Sequence, residues 1–431
     1  MKIQIQTLGC SKNKVDSEHI LYQLKFAGME ISPEGEDLVS AGVDVMIINT
    51  CGFIHDAKEE SINAILEAVE AKENGYISKV IVLGCLSQRY REELVESIPE
   101  VDAFLGAFDL DEVLRVFALK INSSLLTRRL ITTPSHYAYL KISEGCDRIC
   151  SYCAIPSIRG PHVSVPIGDL VTEAQYLASI GVKELIVIAQ DTTYYGLDIY
   201  KKRSLAPLLY KLAEVPGIEW IRILYSYPAA FPEDVLEFMA TSDKMCKYMD
   251  IPLQHSSTKV LHAMRRGIDG AKTRSLVETM RKKVPGVALR TTMIVGHPQE
   301  GKREFQNLLN FVEEYKFERL GAFTYSEEEG TWGANNLSDW LPRKVKQERY
   351  DELMELQAQI SLNYNLSRIG TTEKVLVDSL TDGVLVGRSQ KEAPEVDGEI
   401  LIGSKDRSLV GQYVNVHIEN ANDYDLIGKI I

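Results

Sequence analysis

The 431-residue chain has no run of eighteen or more apolar residues, so no membrane-spanning helix is expected. Its opening residues, Met1-Lys2-Ile3-Gln4-Ile5-Gln6, alternate apolar and polar and lack the long apolar stretch of a secretory signal. The expected compartment is therefore the cytoplasm. Internal repeats and low-complexity tracts are missing, which argues against solenoids and disordered arrays. Positive charge is in deficit: 48 Lys and Arg face 61 Asp and Glu, a net charge of −13. Phosphate neutralisation needs clustered Lys and Arg, so direct nucleic-acid binding is not expected and a basic partner suits the chain better. Cysteine is scarce, at seven residues. In a reducing compartment so few are more readily metal ligands or redox groups than disulfides. What remains is an ordinary globular composition, 45% hydrophobic and 25% charged. At roughly 100–200 residues per domain it implies about two to four domains, with enough chain to bury several cores unaided.

Apolar patterning divides the chain. Residues 2–7, 44–49 and 80–83 read as strands, and 14–27, 55–73 and 88–97 as helices. Such alternation predicts a parallel sheet covered on both faces, an α/β domain over 1–120. Residues 121–137 carry Asn-Ser-Ser and Thr-Thr-Pro-Ser without a clean period and read as a linker. From 138 to 367 strands at 138–142, 184–189, 219–224, 247–251, 287–295 and 318–325 alternate with helices, ending in a helix near 342–367. Repeated βα units of this length predict a full or partial (β/α) barrel. In 368–431, short β-rich runs punctuated by Gly383, Gly398, Gly403 and Gly411 predict a small antiparallel β-barrel. The expected fold class is thus multidomain α/β with an OB-like C-terminal barrel.

Six of the seven cysteines fall into two sets. Cys146, Cys150 and Cys153 follow a C-x3-C-x2-C spacing on a loop just after the first strand of the barrel-like region. Three thiolates this close can hold three irons of a four-iron cluster and leave the fourth iron open for a ligand. A structural zinc would need a fourth ligand, for which His162 is the sole nearby candidate. Cys10, Cys51 and Cys85 each stand beside a glycine at the end of an expected strand. In a parallel sheet the carboxyl ends of neighbouring strands share one edge, so residues distant in sequence can meet there. Each alone could be a small buried hydrophobe; together they predict a second three-thiolate site. Cys246 stands alone and reads as a packing residue.

The C-x3-C-x2-C motif followed by βα units resembles the radical S-adenosylmethionine (SAM) superfamily. Two three-cysteine sites in this order, then a small β-domain, resemble its methylthiotransferase family over nearly the whole chain, with the last domain similar to a TRAM domain. Within the family, Tyr137–Cys146, Ala154–Gly160, Ala189–Thr193, Asp250–His255 and Glu392–Gly398 are similar to the RimO-type branch. That branch modifies an aspartate of the twelfth protein of the small ribosomal subunit. One stretch departs from the family pattern GFPGETE: here Gly296-His297-Pro298-Gln299-Glu300-Gly301-Lys302 places Gln299 where the second glycine is usual.

The resemblance implies two [4Fe-4S] clusters and two uses of SAM. One SAM methylates a sulfur held at the open iron of the Cys10, Cys51 and Cys85 cluster. A second, split at the Cys146, Cys150 and Cys153 cluster, yields a radical that takes a hydrogen from the aspartate β-carbon, where the methylthio group is joined. Two clusters facing one cavity would let the carbon radical be captured before side reactions. A sulfur source is needed, and an electron donor of flavodoxin or ferredoxin type. Tyr152, at the aromatic position of the motif, is expected near the cluster or adenine. Gln190, Arg222, Gln254 and Gly296, near strand ends, are expected SAM or substrate contacts; their alternative is ordinary polar packing.

A tRNA adenosine methylthiotransferase is the runner-up. Residues 372–431 hold 11 Asp and Glu against 6 Lys and Arg, an acidic excess that complements a basic ribosomal protein better than tRNA. The remaining alternative, an iron–sulfur electron-transfer or scaffold protein, needs no open irons.

Overall fold

The computed structural model describes all 431 residues, Met1 to Ile431. They form two compact units. The first comprises residues 1–133, 139–148 and 154–177; the second comprises 134–138, 149–153 and 178–431.

In the first unit β1 (Lys2–Thr7), β2 (Glu30–Ser32), β3 (Val45–Thr50), β4 (Lys79–Gly84) and β5 (Ala103–Phe104) form a parallel sheet in the order β2-β1-β3-β4-β5. β3 and β4 carry continuous apolar runs because both faces are covered, whereas β1 alternates, with buried Gln4 donating to the Pro33 and Glu36 carbonyls. On one face Ile3, Ile5, Val45, Ile47, Ile81 and Leu83 pack against Ile20, Leu21 and Leu24 of helix Ser11–Phe26. On the other, Met46, Ile48, Val80 and Val82 pack against Ala64, Ile65, Ala68 and Val69 of helix His55–Glu73. Each large aliphatic side chain buried this way contributes roughly 1.5–3 kcal/mol. The three strands expected from the sequence are the central ones; the short edges β2 and β5 went unforeseen.

The radical-motif loop begins in the same unit. β7 (Ser143–Glu144) pairs antiparallel with β8 (Val163–Ser164), and the short helix Ile155–Arg159 lies between them.

In the second unit, parallel strands run in sequence order. β6 (Tyr137–Lys141), which starts in this unit, borders β9 (Glu184–Ile188), followed by β10 (Trp220–Ile223), β11 (Met245–Asp250), β12 (Ala288–Val295) and β13 (Arg319–Thr324). The sheet does not close, so the barrel is partial. The C-terminal strands β14 (Thr372–Thr381), β15 (Val384–Arg388), β16 (Ile400–Ile402), β17 (Tyr413–Ala421) and β18 (Leu426–Ile430) do close into a barrel. Val375, Val377, Leu385, Ile400, Ile402, Val416, Ile418 and Leu426 fill it. Four of its five strand pairings are antiparallel, as expected, and one, β16 with β18, is parallel.

An ionic seam joins that barrel to the parallel sheet. Each of five strands offers one side chain: Glu184, Arg222, Tyr248, Arg290 and Arg319. Glu184 binds Arg388 at 2.9 Å, and Arg222 donates to the Gln390 carbonyl at 2.8 Å. The Tyr248 hydroxyl donates to Asp397 at 2.6 Å. Arg290 stands 3.6 Å from Asp397 and Arg319 is 3.1 Å from Glu392. The stretch Glu392–Gly398 is therefore, in structural terms, a latch.

Candidate functional site

Register places the first cysteine set. Thr7 is level with Asn49, Asn49 with Leu83, and Thr50 with Gly84. Cys51 and Cys85 therefore follow directly on two neighbouring strand ends, and Cys10 lies three residues beyond a third. A buried polar network fixes the backbone under them. Asn13 Nδ2 donates to the Leu8 and Thr50 carbonyls at 2.8 and 3.1 Å. Asn49 Nδ2 donates to the Asn13 carbonyl and Ser17 Oγ, both at 3.0 Å. Thr50 Oγ1 donates to the Leu83 carbonyl at 2.6 Å, and the Cys51 N–H donates to Ser61 Oγ at 3.0 Å. Gly9 has φ +88°, and a Cβ there would stand 2.9 Å from Cys51 Sγ, so glycine is needed for this approach.

The thiols sense one another. Burial pushes Cys51 up to about 11, with Cys10 and Cys85 adding to the rise. Burial also raises Cys85. Burial acts upward on Cys10 too, but Lys12, Arg159 and the N–H groups opening helix Ser11–Phe26 outweigh it and lower its pKa. Arg159 donates from Nε to Cys85 Sγ at 3.3 Å. All seven cysteines are free thiols. No group of three His, Cys, Asp or Glu side chains is drawn tightly enough to share one metal ion. Thiolates of a four-iron cluster each hold a different iron and need no such convergence. Three thiols at one sheet edge with an arginine beside them fit such a cluster.

Around Cys146 the loop is tight. The Cys146 N–H donates to the Gly160 carbonyl at 3.1 Å, and Gly145 has φ +72°. A Cβ on Gly145 would lie 2.0 Å from the Pro161 carbonyl oxygen. Gly145→Ala is expected to cost about 2–4 kcal/mol from left-handed strain plus overlap, read as a lower urea midpoint. His162, the sequence candidate for a zinc ligand, is buried with Nε2 3.0 Å from Ser164 Oγ.

Cys150 and Cys153 belong to the second unit, where the Cys153 N–H donates to the Cys150 carbonyl at 3.2 Å. Arg266 donates from Nη1 to Cys150 Sγ at 3.3 Å, and Tyr227 Oη stands 3.5 Å from the same sulfur. Arg266 also stacks 4.1 Å over the Tyr227 ring. Burial raises the Tyr152 phenol well above its usual range, although Arg266 acts against this. Several buried polar atoms here have no partner within the protein: Gln254 Oε1, Ser226 Oγ, Ser151 Oγ, Arg266 Nε and His297 Nε2. Gln254, Ser226 and His297 lie just past the carboxyl ends of β11, β10 and β12. Unpaired buried polar atoms at that edge fit a polar ligand.

Of the residues singled out from sequence, Tyr152 and Gln254 lie in this cluster. Gln254 adopts φ +72°, with its backbone bridged to Met293. Gln190 follows β9 at the same edge, half-buried. Gly296 has φ +78° and is covered by the aliphatic chain of Lys346. Arg222 is a correction. On β10 alternate residues share a face, and Trp220, two residues earlier, packs on Tyr413 of the C-terminal barrel with centroids 4.8 Å apart. Arg222 therefore points into the ionic seam, fully buried, and cannot reach a ligand at the strand ends. Cys246 is a fully buried packing residue. Arg159 and Arg266 were missed: one ends a five-residue helix, the other lies in an Arg-Arg pair outside any motif. The acidic excess of the C-terminal segment also shrinks at its surface, because Glu392 and Asp397 lie buried in the seam.

Known proteins place this architecture. Residues 2–106 match the Uncharacterized protein family UPF0004, 140–312 the Radical SAM superfamily, and 369–431 the TRAM domain. A ribosomal protein uS12 methylthiotransferase RimO from Cytophaga hutchinsonii is 52% identical over 431 residues, spanning 100% of this chain and 98% of its own. The chain belongs to the ribosomal protein uS12 methylthiotransferase RimO family. The RimO of Bacteroides thetaiotaomicron is 49% identical over 436 residues, covering 100% of this chain and 98% of that one. The family makes the chain a radical SAM methylthiotransferase, and the superfamily implies a [4Fe-4S] cluster and SAM. Among solved structures, the radical SAM methyltransferase TsrM of Kitasatospora setae is similar in fold. Its TM-score is 0.54 at 13% identity, covering 75% of this chain and 72% of that one. No helix of this RimO-family chain is long and apolar enough to cross a membrane.

Proposed function

We propose that this chain methylthiolates the β-carbon of an aspartate in ribosomal protein uS12, using two [4Fe-4S] clusters and two SAM molecules per turnover. Cys146, Cys150 and Cys153 would hold one cluster; Cys10, Cys51 and Cys85 the other. The observation that carries the two-cluster reading is the second set: three thiols brought to one sheet edge by aligned strands, with Arg159 on one sulfur. The substrate comes from the relatives, which are named for uS12. When bound, the Cys146 group supplies reductive cleavage of SAM and the Cys10 group supplies the sulfur to be methylated and transferred.

The chain's own residues bind, orient and shield. Arg266 and Tyr227 oppose the negative charge at Cys150. The unpaired Gln254 Oε1 offers an acceptor to the SAM amino group or ribose, and Tyr152 and Gln190 are further contacts. A sulfur source is required, and a flavodoxin- or ferredoxin-like protein would be the reductant.

The deciding assay is anaerobic. The reconstituted protein receives SAM, sulfide and a reductant, with uS12 or its target loop in one arm and unmodified tRNA in the other. The expected result is one methylthio group added to an aspartate. Modified tRNA adenosine would keep the enzyme class and reverse the substrate.

A further inference from the structure

We infer that Arg159 is a positioning residue for the Cys10, Cys51 and Cys85 set, which holds Cys85 by a hydrogen bond to its sulfur and raises the reduction potential of the cluster there. This rests on the two-cluster reading.

The guanidinium is almost fully enclosed, its side chain 2% exposed, and every arm is used. Nε donates to Cys85 Sγ at 3.3 Å. Nη1 donates to Asp16 at 3.1 Å and to both Glu144 oxygens at 3.0 Å. Nη2 donates to Asn13 Oδ1. Asn13 and Asp16 sit three and six residues beyond Cys10, and Glu144 sits two before Cys146. One side chain thus ties the first and third thiol-bearing segments to the loop that starts the C-x3-C-x2-C motif.

Charge balance alone does not call for this geometry. Lys141 already binds Asp16 and Glu144, and a second ammonium would neutralise the remaining carboxylate. What a planar fork adds is a third donor, aimed at sulfur while the other arms hold carboxylates. A charge-assisted N–H donated to a ligating thiolate withdraws electron density, and hydrogen bonds to cluster sulfurs raise reduction potential. The second unit repeats the device independently, with Arg266 Nη1 3.3 Å from Cys150 Sγ.

The test uses the full chain carrying Cys146→Ala, Cys150→Ala and Cys153→Ala, so that all bound iron reports on the first site. Into this parent go Arg159→Lys, Arg159→Gln, and Arg159→Gln with Glu144→Gln, which keeps the buried charge balanced if the single change unfolds. Iron content, circular dichroism and the midpoint potential followed by electron paramagnetic resonance are read. The expected result is a more negative potential in all three, or native dichroism with iron lost. In the otherwise unmodified chain, Arg159→Gln is expected to lower methylthio transfer ~10–100-fold. Full iron at the parent's potential in the charge-balanced variant would overturn the proposal. A parent that binds no iron would instead remove the first cluster itself.

Discussion

Cys150→Ala is expected to bring SAM cleavage to background. The sulfur it removes is the one facing both Arg266 and the Tyr227 hydroxyl. Two thiolates would be left for three irons. Arg266, 4% exposed, would lose the sulfur that offsets its charge, so the pocket would also carry an uncompensated cation. Without reductive cleavage no later step can proceed, so methylthio transfer is lost as well. Anaerobic chromatography of 5′-deoxyadenosine and methionine measures the first loss. Iron analysis is expected to show one cluster fewer per chain.

Cys51→Ala is expected to separate the two activities. It removes the middle of three strand-end thiols, and its neighbours Cys10 and Cys85 belong to other βα units of the same sheet. The chain segments around Cys150 and Arg266 are untouched, so SAM cleavage should persist while methylthio transfer falls below detection. Cys51 sits just beyond the end of its strand and alanine keeps its Cβ, so the sheet edge is expected to fold. Mass spectrometry of uS12 and 5′-deoxyadenosine formation, measured on one sample, give both readings. Equal loss of SAM cleavage in Cys51→Ala and Cys150→Ala would sink this division of labour.

Much of this was legible because the signals are local. β1 alternates apolar and polar residues, β3 and β4 are short apolar runs, and a cysteine follows each within three residues, so strand ends and thiols could be read together. The edges β2 and β5, of three and two residues, carry too little pattern to register. Arg222 misled because position near a strand end was read without the face. Its partners Ser389 and Gln390 lie 167 and 168 residues further on, and nothing local announces them. Arg159 has the same difficulty in reverse, since its role depends on Asn13, Asp16 and Cys85, three points that only folding brings to it. The parallel β16–β18 pair escaped notice because strand direction leaves no mark on composition.

The two thiol sets differ in what must exist before they do. Cys146, Cys150 and Cys153 lie within eight residues, so a loop alone can present them. Cys10, Cys51 and Cys85 become neighbours only after β1, β3 and β4 have paired in parallel, each pairing closing a crossover of some thirty residues or more. On the two-cluster reading, maturation of the first unit is expected to be ordered: the sheet assembles empty and metal enters last. Iron offered to a nascent or unfolded chain meets only the local motif. Mild denaturant should likewise strip the sheet-edge site before the loop site, giving a half-loaded enzyme that still consumes SAM.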